Sequence, residues 1–382
     1  MASLTGNALP RPGSAGENEF VDFIPPIGQT LMDGAPSFEE PYVKLIVTYF
    51  ENARHTPGNV QDRSLPSITP AFENFKRLLK VLAPTSTFNR YSTHFPAPYI
   101  TQSIYMTHEP FQQEDWSALR HTSDFKDFEN LYEIEVIVDQ YPNTTPTPTL
   151  NRPLKLALFD MDSTLIDQEV IDELARSVGV SDAVSAITAR AMNGDIDFAT
   201  SLKERVGMLR GVKTTVWEDL RKTITIAEGA RELIAGLKKR GVYTAVASGG
   251  FMPMAEWLKG ELGLDIAVAN HLLVEEPTEK FSYPHLSGLL DPSYPIVTPE
   301  LKRETLLALA AARSIPMHET LAVGDGSNDL LMLGTAGRGI AWRAKEKVQV
   351  AAPMRLNGES LADLLHLFGP EESSVRDEVR LD

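Results

Sequence analysis

Three short apolar runs in the second half of the chain constrain the fold more than any other feature. They are Leu156–Phe159, Val242–Ala247 and Thr320–Val323. Each stops at small, polar or acidic residues: Asp160-Met161-Asp162-Ser163-Thr164, Ser248-Gly249-Gly250 and Gly324-Asp325-Gly326-Ser327-Asn328-Asp329. Continuous apolar runs are what strands covered on both faces look like, and strands alternating with helices build a parallel sheet. Ligands of such sheets gather beyond the carboxyl ends of the strands. All three polar clusters are therefore expected at one site, with Gly339–Trp342 as a further strand. The fold class read from the sequence is α/β, a Rossmann-like parallel sheet.

The segment after the first strand breaks the alternation. Val170, Ile171, Leu174 and Val178 make one helical stripe. Further helices are expected at about 182–192, 198–210 and 215–223, the last opened by a Thr215…Glu218 capping box. Four helices with no strand between them predict a helical insert at about 168–225. Beyond it, Gly241 closes a helix. A helix follows at 253–262, residues 266–274 are strand-like, and the Pro-rich 275–297 segment is a loop or hairpin excursion. Thr298-Pro299 opens a helix through Arg313, with Lys302 in its first turns.

The 382 residues exceed one typical hydrophobic core. Residues 1–39 are rich in Pro, Gly and Ser and read as a flexible lead-in. Residues 40–140 read as a small α+β domain, with strands at Tyr42–Phe50, Tyr99–Met106 and Leu131–Asp139. A helix opens at Thr69-Pro70 and carries Phe72, Phe75, Leu78, Leu79 and Leu82 on one face, and a short helix is expected at Trp116–Arg120. No catalytic cluster occurs in this part. Residues 141–153 form a Pro/Thr-rich linker, 154–368 the α/β core with its insert, and 369–382 a charged, acidic tail.

The net charge of −16 argues against a nucleic-acid surface and against an anionic membrane. An anionic small molecule would have to be held by local cations and backbone amides. There is no cysteine, which excludes disulfides, thiolate metal sites and cysteine catalysis. The N-terminus lacks the basic start and apolar stretch of a secretory signal, and no run has the length of a membrane span. The cytoplasm is the expected compartment.

Taken alone, Asp-x-Asp is a strand end with a turn, Ser-Gly-Gly is a turn, and Lys302 is a solvated helix residue. Together they supply the parts of phosphoryl transfer: a nucleophile, an acid–base group, a cation site and fixed donors for phosphate oxygens. Asp160 could attack phosphorus. Asp162 could protonate the leaving oxygen and then deprotonate water. Asp325, with Asp160 and the backbone carbonyl of Asp162, could hold Mg²⁺, while Asp329 steadies a metal-bound water. The Ser248 hydroxyl, the Gly249 amide and Lys302 could bind phosphate oxygens.

Residues 154–368 resemble the haloacid-dehalogenase-type phosphatases, and within them the phosphoserine phosphatases. The resemblance rests on FDMDSTLI (159–166), ASGGF (247–251), Lys302 and VGDGSNDLLML (323–333), and on an insert running from Asp167-Gln168-Glu169 through Met192 and Phe198 to Arg205. It implies Mg²⁺-dependent hydrolysis of O-phospho-L-serine to L-serine and phosphate through an aspartyl-phosphate, the last step of serine biosynthesis. It also implies that Glu169 meets the substrate ammonium and Arg205 its carboxylate. Met192 and Phe198 become apolar walls, and Asn328 joins the substrate-binding residues. Lys280 is a weaker rival for the lysine role. Some members carry N-terminal regulatory domains of the ACT type, which bind amino acids. Residues 40–140 have the size and class of one but none of its motifs, so an amino-acid effector and a homodimer both stay open. Two alternatives also stay open at this stage: a phosphatase or phosphotransferase for another small phosphomonoester, and an amino-acid-sensing protein with vestigial catalysis.

Overall fold

The computed structural model describes residues 43–51, 69–82, 89–94, 100–107, 119–120, 122–132, 134–142, 154–192 and 195–368. The expected lead-in, the tail and nearly all of the linker lie outside the described residues.

The N-terminal part runs β1 (Val43–Glu51), α1 (Thr69–Leu82), β2 (Asn89–His94), β3 (Ile100–Thr107), α2 (Ser123–Tyr132) and β4 (Ile134–Pro142). Its sheet has the order β2-β3-β1-β4 with every neighbouring pair antiparallel, a split β-α-β arrangement. Phe72, Phe75 and Leu79 of α1 pack with Val47, Tyr49, Phe125, Phe128 and Val136. Three features differ from the sequence reading. The segment 123–132 is a helix, capped by the Thr122 hydroxyl, which accepts from the Phe125 amide at 3.2 Å. Its acidic residues hide an apolar stripe of only Phe125 and Phe128. The strand expected from Leu131 consequently starts at Ile134, and Leu131 closes the helix with its side chain exposed. Strand β2, NRYSTH, has only Tyr91 to mark it, because an edge strand needs no apolar run.

The larger part is built on a six-stranded sheet, β12-β11-β10-β5-β6-β7, with every pairing parallel. These strands are β5 (Leu156–Phe159), β6 (Tyr243–Phe251), β7 (Ile266–Asn270), β10 (Thr320–Gly324), β11 (Arg338–Trp342) and β12 (Met354–Leu356). Strand β5 is central and wholly buried. Its alternation divides the core in two. Leu156 and Leu158 pack with Leu306, Leu309, Met332 and Leu333 on one face. Ala157 and Phe159 pack with Leu233, Leu237 and Leu258 on the other. The helices supplying these layers are α7 (Ala230–Lys239), α8 (Met252–Leu262), α9 (Pro299–Ala312), α10 (Leu330–Thr335) and α11 (Glu346–Ala351). Gly241 follows α7 at φ +73°, the left-handed conformation its C-cap role needs.

Between β5 and α7 stand four helices: α3 (Val170–Ser177), α4 (Ser181–Met192), α5 (Phe198–Gly207) and α6 (Val216–Thr223). The Thr215 capping box does not form. Thr215 has helical backbone angles, and its side chain makes no cap bond. A capping side chain reaches back only from an extended backbone. The insert joins the core through a two-stranded neck, where the Asp167 amide donates to the Thr225 carbonyl and the Ala227 amide to that of Leu165. The 266–274 stretch is not one strand. It breaks at His271, and β8 (Leu272–Glu275) turns away to pair with β9 (His285–Leu290). This hairpin is bonded to the insert: the Gly211 amide donates to Leu286, and the Leu286 amide to Val212. The insert therefore sits on a neck at one side and a hairpin at another. Among the described residues, no helix is long and apolar enough to cross a membrane.

Candidate active site

The carboxyl ends of β5, β6 and β10 open under the insert into a cavity of about 590 Å³. Asp160, Asp162, Ser248, Gly249, Gly250, Asp325 and Asn328 line its floor, and Glu169, Phe198 and Arg205 line it from the insert. Ala191 lines the cavity where Met192, the expected wall, does not.

Asp160 leaves β5 with its amide bonded to the Val323 carbonyl of β10, which fixes the strand end. Its Oδ1 accepts from the Met161 amide at 2.7 Å and meets the Lys302 ammonium at 2.8 Å. Lys302 is fully buried and also reaches Asp329 Oδ1 at 2.7 Å. Burial works against the lysine's charge, but Asp160 and Asp329 outweigh it and raise its pKa. Helix α9 places this lysine because the Thr298 hydroxyl accepts from the Leu301 amide, capping its first turn. Lys280 sits instead beside the Phe281 ring in the hairpin.

The acids outnumber the cations here. Asp325 is pushed up to about 8, by burial first and then by the charges of Asp160 and Asp329. Asp162 is raised well above the usual carboxylate range by burial, with Glu169 and Asp160 adding to it. Its Oδ1 is buried without a hydrogen-bond partner. Asp329 is raised by burial and by Asp160. One carboxylate oxygen from each of Asp160, Asp325 and Asp329 lies within 4.8 Å of the others, a grouping that fits a metal ion. The donors are all hard oxygens, the kind that Mg²⁺ or Ca²⁺ prefers. The Asp162 carboxyl is outside this group, so a metal role for residue 162 rests on its backbone carbonyl. Asp329 is already committed on both oxygens, to Lys302 and to the Gly326 amide at 2.9 Å.

The turn between β10 and α10 has no room for a side chain at its start. A Cβ on Gly324 would stand 2.5 Å from the Asp329 carboxyl carbon. Across the floor, Ser248 is buried, and its Oγ accepts from the Gly250 amide at 2.8 Å, which leaves its proton free to donate. On the insert, Asp197 caps α5 by accepting from the Thr200 amide. That helix carries Arg205, whose pKa is lowered by burial although Asp172 and Glu169 oppose this. Glu169 is raised by burial and accepts from the Ser163 hydroxyl at 2.9 Å.

Four positioning contacts escaped the sequence reading. Ser163 holds Glu169 from a left-handed backbone, φ 53°. The Thr164 hydroxyl donates to Asp325 at 3.3 Å. Asn270 donates to the Gly249 carbonyl and accepts from the Val297 amide, tying the Ser-Gly-Gly turn to the lead-in of α9. Asp172 lines the cavity beside Arg205. Ser163 and Thr164 stand inside a motif already singled out. Asn270 ends an ordinary strand and has no local signal.

The haloacid dehalogenase-like hydrolase profile matches residues 154–337. A phosphoserine phosphatase of Saccharomyces cerevisiae is 43% identical over 222 residues, 58% of this chain and 69% of that protein. A HAD-family hydrolase from Salmonella enterica serovar Typhi superposes with a TM-score of 0.63 at 27% identity, covering 86% of this chain and 99% of its own. A phosphoserine phosphatase solved as an analogue of its phospho-aspartyl intermediate gives a TM-score of 0.51 at 39% identity, over 56% of this chain and 98% of its own. The insert covers this cavity as a cap, and the chain belongs to the phosphoserine phosphatase family of the haloacid dehalogenase-like hydrolases.

Proposed function

We propose that this protein hydrolyses O-phospho-L-serine to L-serine and phosphate through an aspartyl-phosphate on Asp160, with Mg²⁺ held by Asp160, Asp325 and the backbone carbonyl of Asp162. The observation that carries this is the pairing of two chemistries in one cavity. An acid cluster lies on the floor above one buried lysine, and Glu169 and Arg205, with Asp172 beside them, face it from the cap. A phosphomonoester with both an ammonium and a carboxylate complements the set. The relatives that carry the name phosphoserine phosphatase support the same substrate.

In this reading Glu169 receives the ammonium and Arg205 the carboxylate, and Phe198 closes over the aliphatic carbon. The Ser248 hydroxyl, the Gly249 amide and Asn328 hold the phosphate oxygens, and Lys302 adds its charge from beneath Asp160. Asp160, its carboxylate fixed by the Met161 amide and Lys302, attacks phosphorus in line with the seryl oxygen. Asp162, whose burial beside Glu169 and Asp160 raises its affinity for a proton, gives its proton to that oxygen as the P–O bond breaks. Now a carboxylate, it takes a proton from the water that attacks the aspartyl-phosphate, and phosphate leaves. Bound Mg²⁺ supplies charge neutralisation for the phosphoryl oxygens. The cap keeps bulk water out during the first half of the reaction.

The deciding assay is phosphate release from O-phospho-L-serine with and without Mg²⁺, beside a panel of other small phosphate esters. Phosphoserine should lead the panel and lose its turnover when the metal is chelated. A panel led by an ester without ammonium and carboxylate would overturn the substrate assignment.

A further inference from the structure

The cavity has one wall to which the reaction above gives no task. Lys345 and Lys347, at the start of α11, line it beside Asp325, Gly326 and Asn328. Both are exposed, and neither side chain makes an ion pair or a hydrogen bond with the described residues. Their position matters because of the charge around them. Asp160, Asp162, Glu169, Asp172 and Asp325 line the same cavity. Lys302 is spent on Asp160 and Asp329, and Arg205 faces Asp172 and Glu169. The chain as a whole carries −16. A phosphomonoester, with a charge of about −2 on its phosphate near neutral pH, therefore approaches a mouth whose uncommitted cations are these two lysines.

The lysine wall is also anchored, although α11 has only six residues. Val348 is buried in the core layer beneath the sheet. The Gln349 side chain donates to the Ala344 carbonyl at 2.6 Å and to Asn357 Oδ1 at 2.9 Å. From the N-terminal domain, the buried Arg120 guanidinium donates to the Gln349 carbonyl at 2.7 Å and to that of Pro353, closing the end of the helix. A solvated pair of surface lysines needs no such bracing from another domain.

We infer that Lys345 and Lys347 form an anion-capture site at the cavity mouth, which draws in the phosphate group of the substrate and also holds departing inorganic phosphate. The inference rests on the phosphomonoester reading above and deepens it. A field of this kind raises the local concentration of a charged ligand, and salt abolishes its reach.

The test compares the full chain, with its divalent cation, and the K345Q/K347Q double variant. kcat/KM for O-phospho-L-serine and the inhibition constant of inorganic phosphate are measured from low to high salt. The double variant should lose about tenfold in kcat/KM at low salt. It should bind phosphate several-fold more weakly, and both gaps should shrink to under about twofold at high salt, where the Debye length is short. Equal values for the two proteins at low salt would overturn the inference. So would a loss that persists undiminished at high salt, which marks a folding defect. A wild type that turns over no phosphomonoester would instead refute the enzymatic reading. Direct calorimetric binding of inorganic phosphate to the same two proteins would then decide the role of the lysines.

Discussion

Two clusters of buried charge in this molecule are built on opposite plans. At the seam between the N-terminal domain and the core, two arginines meet two glutamates. Arg355 pairs with Glu129, Glu135 accepts from the backbone and side-chain nitrogens of Asn357, and Arg120 donates to two carbonyls. Glu129 also accepts from the Val136 amide. Every member has a partner. At the floor of the cavity, Asp160, Asp162, Asp325 and Asp329 share one lysine, and Asp162 Oδ1 has no partner. Buried charge that is matched and hydrogen-bonded holds a structure in register. Buried charge in excess costs stability, and it persists where a ligand or a reaction uses it.

Changing Asp160 tests the excess most directly. Asp160→Asn removes the proposed nucleophile and one of the crowded carboxylates together. Turnover of phosphoserine should fall by at least about 10⁴-fold, while thermal stability stays level or rises because repulsion on the floor is relieved. Steady-state kinetics and a melting curve on one preparation check both halves. A variant that keeps full turnover rules out the covalent route.

Lys302→Met should act in the opposite direction on stability. It strips the lysine from among the buried aspartates and should cost about 3–5 kcal/mol, read by urea unfolding, with loss of activity. Unchanged unfolding would mean that the acids take up protons at no net cost, and the contrast with the seam would fail. Next in size is Arg205→Ala, outside the floor. Losing one charged hydrogen-bonding partner should raise KM for phosphoserine about 10- to 100-fold. An ester lacking the carboxylate should barely respond. Equal responses would take Arg205 out of the substrate site.

The sequence showed the floor far better than the seam, and the reason is physical. Asp160, Ser248 and Asp325 sit where apolar strands end, so each belongs to a local pattern of strand, turn and helix that composition alone reveals. The parallel sheet was legible in the same way, from runs such as Leu156–Phe159. The seam has no local pattern. Glu129 lies in a helix that acidic residues disguise and Glu135 in the strand after it, and their partners Arg355 and Asn357 are more than two hundred positions away. Lys345 and Lys347 went unnoticed because a lysine at a helix start looks alike in a cavity and on open surface. The 275–297 excursion reads as a loop or a hairpin, and its bonds to the insert depend on two backbone stretches meeting, which no side-chain pattern encodes. Thr215 went the other way. Its spacing to Glu218 suggested a capping box, and the tertiary structure drew its backbone into the helix instead.

The smallest effect expected is at the seam itself, where pH provides the handle. Burial pushes the Glu129 carboxyl up to about 7 from about 4.5, against the pull of Arg355. A carboxyl whose pKa rises on folding binds its proton more tightly in the folded state. Its contribution to stability is therefore complete below the unfolded value and disappears as pH climbs through the folded one. Urea unfolding at about pH 5 and about pH 8 should show the wild type losing about 2 kcal/mol more than Glu129→Gln over that interval. The aspartates of the cavity titrate in both proteins and cancel in the comparison. Equal losses would mean that Glu129 is already ionised at the lower pH, held so by Arg355 and the Val136 amide. The seam would then be a fully charged network, matched more closely still than the contrast with the cavity floor requires.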